Sequence, residues 1–81
     1  MSGASGQTHK RVLNLESIRA RDRYRRVLDA FDAIDPGGIL ELRAATHPLP
    51  LIYRLSDDRF GQFVGEFTQR DPVWHVRIVK Q

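Results

Sequence analysis

The chain contains no cysteine among its 81 residues. Disulfide bonds, thiolate nucleophiles and metal sites built from cysteine are therefore excluded. No apolar run approaches the roughly 20 residues that a membrane-spanning helix needs. The Gly/Ser-rich residues 1–8 also lack the apolar segment of a secretory signal. From these absences we expect a soluble, cytoplasmic protein.

Catalytic motifs are missing as well. The sequence has no Gly-rich phosphate-binding loop and no Ser-His-Asp order typical of a hydrolase. Asp57 and Asp58 are adjacent carboxylates, but they follow a predicted helix and indicate a turn. We therefore predict no catalytic residues, no cofactor and no enzymatic activity of the domain's own.

The composition is that of one small globular domain, with 41% hydrophobic and 28% charged residues. We expect residues 1–9 to be a disordered tail, native or added, and residues 10–81 to form the domain. The net charge of +3 favours anionic partners, although such a charge is also common on ordinary surfaces.

Hydrophobic periodicity predicts six elements in the order β-α-β-α-β-β. They are strand 11–15, helix 21–34, strand 39–45, a helix from Thr46 to about Asp57, and strands 62–68 and 73–80. One helical stripe (Tyr24, Val27, Leu28, Phe31, Ile34) should face the core. The prediction is an α/β (α+β) two-layer sandwich, with two helices on one face of a four-stranded mixed sheet.

Local signals set the ends of the helices. Residues 35–38, Asp-Pro-Gly-Gly, should stop the first helix. Thr46 is the predicted N-cap of the second helix, and Pro48 and Pro50 fit its first turn because first-turn N–H groups have no helical partner.

Right-handed crossovers would bring the starts of both helices to the carboxyl ends of the first two strands. Helix N-termini attract anions through free N–H groups and the helix dipole. We therefore predict an anion- or partner-binding edge here, formed by Arg19, Arg21 and Arg23 beside one helix and Thr46, His47, Pro48 and Pro50 beside the other. The alternative is a solvated arginine-rich segment.

Three further groups of residues bear on function: the histidines, the open sheet face and the large aromatic residues. His9, His47 and His75 could suggest metal or haem, but their spacing is irregular and we predict no metal site. Strand alternation places Glu41, Arg43, Glu66, His75 and Arg77 on the open sheet face, where Glu41 could pair with Arg77. That face contains no aromatic residue for base stacking.

We expect the four phenylalanines and the one tryptophan (Phe31, Phe60, Phe63, Phe67, Trp74) to lie in the core.

The sequence resembles a bacterial domain-of-unknown-function family, number 2249. The resemblance covers residues 11–80 and rests chiefly on Pro48-Leu49-Pro50-Leu51 and on the stretch 71–78, Asp-Pro-Val-Trp-His-Val-Arg-Ile. Two patterns differ from the family, because a histidine is displaced to His47 and another is replaced by Tyr24. The family's usual company implies an accessory role near redox or metalloprotein systems.

That family is similar in turn to the TusA/SirA-like sulfur carriers, which implies a TusA-like fold. In those carriers a persulfide-bearing cysteine begins the first helix, and here Ala20 stands at that position. A methyl group cannot carry sulfur, so the resemblance implies the fold without the carrier chemistry.

We interpret the chain as a non-catalytic accessory or adaptor module that binds an acidic protein surface or a small anion. The protein partner is unidentified, and the sequence does not indicate an oligomeric state. Two alternatives stay open: RNA binding through the basic region of the first helix, and a redox- or metal-linked enzyme subunit.

Overall fold

The computed structural model describes residues 10–81. The expectation of a disordered tail at residues 1–9 lies outside the described residues. The elements are β1 (Lys10–Asn14), a 3₁₀ turn (Leu15–Ser17), α1 (Ala20–Ala33), β2 (Ile39–Ala44), α2 (Leu49–Asp58), β3 (Phe63–Gln69) and β4 (Trp74–Lys80). The predicted order is confirmed, with shifts of one or two residues at most boundaries.

The four strands form one mixed sheet in the order β1-β2-β4-β3. The pair β1–β2 is parallel, whereas β4 runs antiparallel to both of its neighbours. The parallel pair requires α1 as a crossover, and both helices lie on one face of the sheet. The structure is therefore the two-layer α+β sandwich that the pattern predicts.

The core lies between α1 and the centre of the sheet. The predicted stripe is confirmed, since all its members are buried except Leu28, which is half-buried. On the strands, four side chains complete this core: Leu40, Leu42, Val76 and Ile78. Burying Phe31 completely stabilises the fold by roughly 1.5–3 kcal/mol relative to leaving it exposed.

The helix α2 is anchored more lightly than α1. Only Leu55 is fully buried in it, and Leu51 and Ile52 pack half-buried against the core. Tyr53, on its outer side, is 62% exposed. The domain therefore has one deeply buried helix and one helix that lies on the surface of the core.

The turn between α1 and β2 follows the predicted chemistry. Gly37 has a φ of 89°, a conformation that few other residues adopt, and Gly38 donates a hydrogen bond to the carbonyl of Asp35. The Gly37 N–H bonds the Lys80 carbonyl at 2.7 Å, which ties the turn to the end of β4.

Three sequence predictions about individual residues are wrong. The N-cap of α2 is Pro48 and not Thr46, because the chain bends at residues 45–46 before the helix begins. Phe60 is 85% exposed, since it lies in the turn after α2 and not in a strand facing the core. Trp74 is half-buried at the start of β4 and contacts His47 and Phe67 at the rim of the core.

Glu41 also differs from its prediction. It lies on the uncovered face, opposite Arg77 in register, yet it is only 7% exposed. Lys10 lies 3.1 Å from one carboxylate oxygen, and Arg43 lies 2.9 Å from the other. The contact with Lys10, supplemented by Arg43, outweighs burial and lowers the pKa of Glu41. Arg77 instead approaches Glu66, at 3.6 Å.

None of the helices in residues 10–81 combines the length and the apolar character that a bilayer crossing requires.

Candidate functional site

A cavity of about 170 Å³ opens where β1 and β2 end and the two helices begin. Its lining residues are Leu15, Ala20, Arg23, Ala44, Thr46, His47, Pro48, Pro50 and Leu51. The parallel pairing of β1 with β2 creates it, because both strands deliver their following segments to the same edge of the sheet. Five of the seven residues predicted for a binding edge line this cavity.

The floor of the cavity is apolar and its walls carry the polar groups. Leu15 and Ala44 belong to the buried core, and Leu51 is half-buried. Thr46 and His47 are exposed and contribute a hydroxyl and an imidazole. A ligand that matches both the apolar floor and the polar walls needs a short apolar stem and a polar or charged end.

Arg23 acts mainly as a structural brace of this site. Its Nε donates to the carbonyls of Leu15 and Ile18, at 2.8 and 3.0 Å. Its Nη2 lies 3.7 Å from the carboxylate of Glu16, and that carboxylate accepts a 2.8 Å hydrogen bond from the Ala45 N–H. Arg23 therefore holds the 3₁₀ turn against the loop after β2.

Arg19 and Arg21 lie outside the cavity lining, on its α1 side. Both are exposed, and among residues 10–81 neither takes part in an ion pair. Arg19 is the N-cap residue of α1, without a side-chain hydrogen bond to the helix start. Their charges are therefore available beside the cavity, where Glu16 and Asp22 offset part of them.

The start of α2 does not provide the free amide donors that the sequence predicts. In α2 the Leu49 N–H donates to His47 Nδ1 at 3.2 Å, and Pro50 has no N–H. The Leu51 N–H bonds the Pro48 carbonyl at 3.0 Å. The start of α2 thus offers its loop side chains to a ligand, whereas the start of α1 carries the positive charge.

His47 connects the cavity to an aromatic cluster that sequence reasoning missed. Its ring lies 4.2 Å from that of Trp74 at a tilt of 40°, and 5.6 Å from that of Phe67. The Arg70 guanidinium lies 5.4 Å from the Phe67 ring centre. Because its Nδ1 accepts from Leu49 and its face lies against Trp74, His47 is held in one orientation.

His47 and His75, the two histidines within residues 10–81, are not brought together as metal ligands. His47 lies on the helix side of the sheet, and His75 is opposite Arg43 on the uncovered face. His9 lies outside the described residues. Within residues 10–81, three or more His, Asp or Glu side chains nowhere gather closely enough to bind a metal ion.

The uncovered sheet face is mixed in character. One row across β2, β4 and β3 is apolar, with Ile39, Val79 and Val64 in register. The next row carries Glu41, Arg77 and Glu66. Among residues 10–81, the strands place His75 but no Phe, Tyr or Trp on this face, so it lacks the large stacking platform common in single-strand RNA binders.

The fold and cavity define a small α+β domain with a pocket at a strand-to-helix edge. The model of a family described as an uncharacterized conserved protein (DUF2249) matches residues 12–80. The chain therefore belongs to this family. No curated protein and no solved structure shows significant similarity to it.

Proposed function

We propose that this domain is a non-catalytic adaptor that binds an acidic segment of a partner protein in the cavity between the two helix starts. The observation that carries the proposal is the apolar floor of the cavity beside two exposed arginines, Arg19 and Arg21, that have no ionic partner within residues 10–81. A glutamate side chain has the matching form, with two methylene groups ahead of a carboxylate.

A carboxylate entering this cavity would meet groups of suitable chemistry. Thr46 supplies a hydroxyl donor and His47 an imidazole whose Nδ1 is already engaged, which leaves Nε2 to donate. Arg19 and Arg21 add positive potential at the entrance, which speeds encounter with acidic segments more than it raises affinity.

A small inorganic anion fits the cavity less well. Phosphate gains nothing from Leu15, Ala44 and Leu51, and the start of α2 has no free amide to donate to it. Nucleic acid would require phosphate contacts along a stripe of basic residues, with aromatic residues on an open surface. These alternatives become outcomes of the test.

The TusA-like resemblance belongs to this proposal as well. It assigns to Ala20 the position of the sulfur-bearing cysteine, and Ala20 lines the cavity. In this interpretation a bacterial, cytoplasmic adaptor uses for partner binding the place that sulfur carriers use for their cargo. The absence of a thiol at Ala20 supports binding over transfer.

The test is a ¹H–¹⁵N NMR titration of the full chain with an end-capped hexaglutamate peptide. We expect amide shifts at Ala20, Arg21 and His47, with weaker binding at higher salt. Ala20→Leu fills the cavity without changing charge and should reduce affinity about tenfold or more. Because Leu is also a good helix former, the substitution should leave α1 intact. Arg21→Ala should reduce it by a smaller factor.

The matched control is Arg26→Ala, which removes an exposed α1 arginine that lies outside the cavity lining, six positions after Ala20. If Ala20→Leu leaves affinity unchanged while Arg21→Ala and Arg26→Ala weaken it equally, binding is diffuse and the proposal is wrong. Phosphate shifting the same amides, or a single-stranded RNA binding more tightly than the peptide, would also overturn it.

A further inference from the structure

We propose that the domain self-associates through β3, which pairs antiparallel with β3 of a second copy around a two-fold axis at Gly65. The result would be a continuous eight-stranded sheet. This surface lies at the sheet edge opposite to β1 and is independent of the proposed acidic-segment site.

The two edge strands of the sheet differ in their protection. Edge strands expose unpaired N–H and C=O groups, and proteins usually guard them with lysine, proline, short length or bulges. β1 has only five residues and begins with Lys10 and Arg11. β3 has seven residues, Phe-Val-Gly-Glu-Phe-Thr-Gln, with one charge and no proline. Its only irregularity is a bulge between Phe67 and Gln69.

The side chains along β3 are suited to an apolar interface. Val64 projects from the uncovered face and is 59% exposed. Phe63 and Phe67 lie on the helix side, where both remain half-buried at the rim of the core. The strand therefore offers apolar surface on both faces next to its free backbone edge.

A two-fold axis at Gly65 gives the best self-complementary register. It places Phe63 opposite Phe67 of the second copy, twice, so that aromatic pairs form on the helix side. It also places Val64 opposite Glu66, which keeps the two glutamates from facing one another. An axis at Glu66 would set like charges directly opposite, which is destabilising.

The chemistry of β3 favours a second copy over an acidic segment as the occupant. β3 contains no Lys or Arg, and its one charged side chain is the carboxylate of Glu66. An acidic strand would therefore be repelled here, whereas a second β3 brings apolar groups and a single offset charge. The pairing involves about five residues per copy, so the interface is small by the standards of stable dimers.

The first measurement is sedimentation of the full chain across protein concentrations. We expect the average mass to rise toward twice the monomer value, with a dissociation constant of roughly 10 µM to 1 mM, as a small interface implies. Val64→Glu sets a carboxylate directly opposite Glu66 of the second copy, twice, and should weaken association at least about tenfold. Val12→Glu adds the same charge on the open face of the β1 edge strand, and as the matched control it should leave association unchanged.

The register is tested by cross-linking, which has no background because the chain lacks cysteine. In the proposed register, a mixture of Val64→Cys and Glu66→Cys chains should form disulfides several-fold faster than either variant alone. The weakest dissociation constant expected for so small an interface is about 1 mM. A chain that stays monomeric up to that concentration overturns the proposal. Equal weakening by Val12→Glu and Val64→Glu, or faster cross-linking of either cysteine variant with itself, also overturns it.

Discussion

The two ends of the helical layer use their charged residues in different ways. Where the helices end, the cations are engaged in contacts with the fold. Lys80 donates to the carbonyls of Phe31 and Ile34, at 3.1 and 2.8 Å, and so caps α1. Arg59 forms a two-point contact with Asp32, at 2.9 and 2.7 Å, which lowers the pKa of that carboxyl.

Where the helices begin, the arrangement is looser. Neither α1 nor α2 has a side-chain N-cap, and Arg19 and Arg21 are exposed without an ionic partner among residues 10–81. The cavity lies at this end. The positive charge is therefore used unevenly. Structural contacts engage Lys80 and Arg59 where the helices end, whereas Arg19 and Arg21 remain available where α1 begins.

This difference teaches that stability and binding should be separable by mutation. Changes where the helices end should lower the free energy of unfolding, whereas removing Arg19 and Arg21 where α1 begins should affect binding with little effect on folding. Three predictions test this separation, from the largest expected effect on stability to the smallest.

Lys80→Met should have the largest effect. It keeps the apolar stem but removes the ammonium that satisfies the last carbonyls of α1. The substitution removes the donor of the Ile34 carbonyl, while the Phe31 carbonyl keeps the Ile34 N–H at 3.3 Å, and such a loss costs about 1–3 kcal/mol. Urea unfolding at neutral pH measures this cost, and Lys80→Arg, which keeps a donor, should recover part of it. An unchanged midpoint for Lys80→Met would show that the cap is not structural.

Tyr24→Phe should have an intermediate effect. The Tyr24 hydroxyl donates to a carboxylate oxygen of Asp58 and lies 3.1 Å from the Arg54 carbonyl, and so it fastens α2 to α1. Losing this contact should cost about 1 kcal/mol. Phe keeps the ring, on which the Arg54 guanidinium lies 3.9 Å from the centre.

The same tyrosine predicts a pH dependence. Burial, together with the hydrogen bond to Asp58, raises the pKa of Tyr24 from 10.0 to about 12. Because the folded pKa is the higher one, its stabilising contribution is complete below pH 10.0 and is lost as the pH rises toward about 12. Absorbance at alkaline pH, in a Tyr53→Phe background, should show the phenol titrating late. Titration near pH 10 in the folded protein would contradict the contact.

Much of the fold could be predicted because the apolar pattern has a clear period. The helical stripe of α1 and the alternation of β4 placed Phe31, Val76 and Ile78 inside correctly. The prediction for Phe60 fails because it rests on side-chain size alone, whereas Phe60 lies in the turn after α2, outside any regular helix or strand. Glu41 failed because the pattern does not show that the long side chains of Lys10 and Arg43 cover it.

The meeting of the two helix starts could be predicted, but the contacts of the individual residues could not. Topology alone brings the two helix starts together, so Thr46 and His47 could be paired with α1 from sequence. The roles of the arginines could not, because whether Arg23 contacts backbone or solvent depends on the path of the 3₁₀ turn. Trp74 was nearly predictable, since it begins β4 opposite Ala44, close to the loop that contains His47.

The smallest effect on stability should come from the double variant Arg19→Ala/Arg21→Ala. Both side chains are exposed and make no ion pair among residues 10–81, so the free energy of unfolding should change by less than about 0.5 kcal/mol. Arg23 lies two positions further along the chain. Arg23→Ala should lower the free energy of unfolding by about 1 kcal/mol or more, because the two hydrogen bonds from Arg23 to backbone carbonyls disappear.

The comparison between these neighbours is sharper than either value alone, because all three are arginines at the start of the same helix. If the double variant and Arg23→Ala destabilise equally, charge near α1 acts collectively, and the division between structural and available cations is wrong. If only Arg23→Ala destabilises, while the double variant loses hexaglutamate binding at full stability, Arg19 and Arg21 are retained for a ligand and not for the fold.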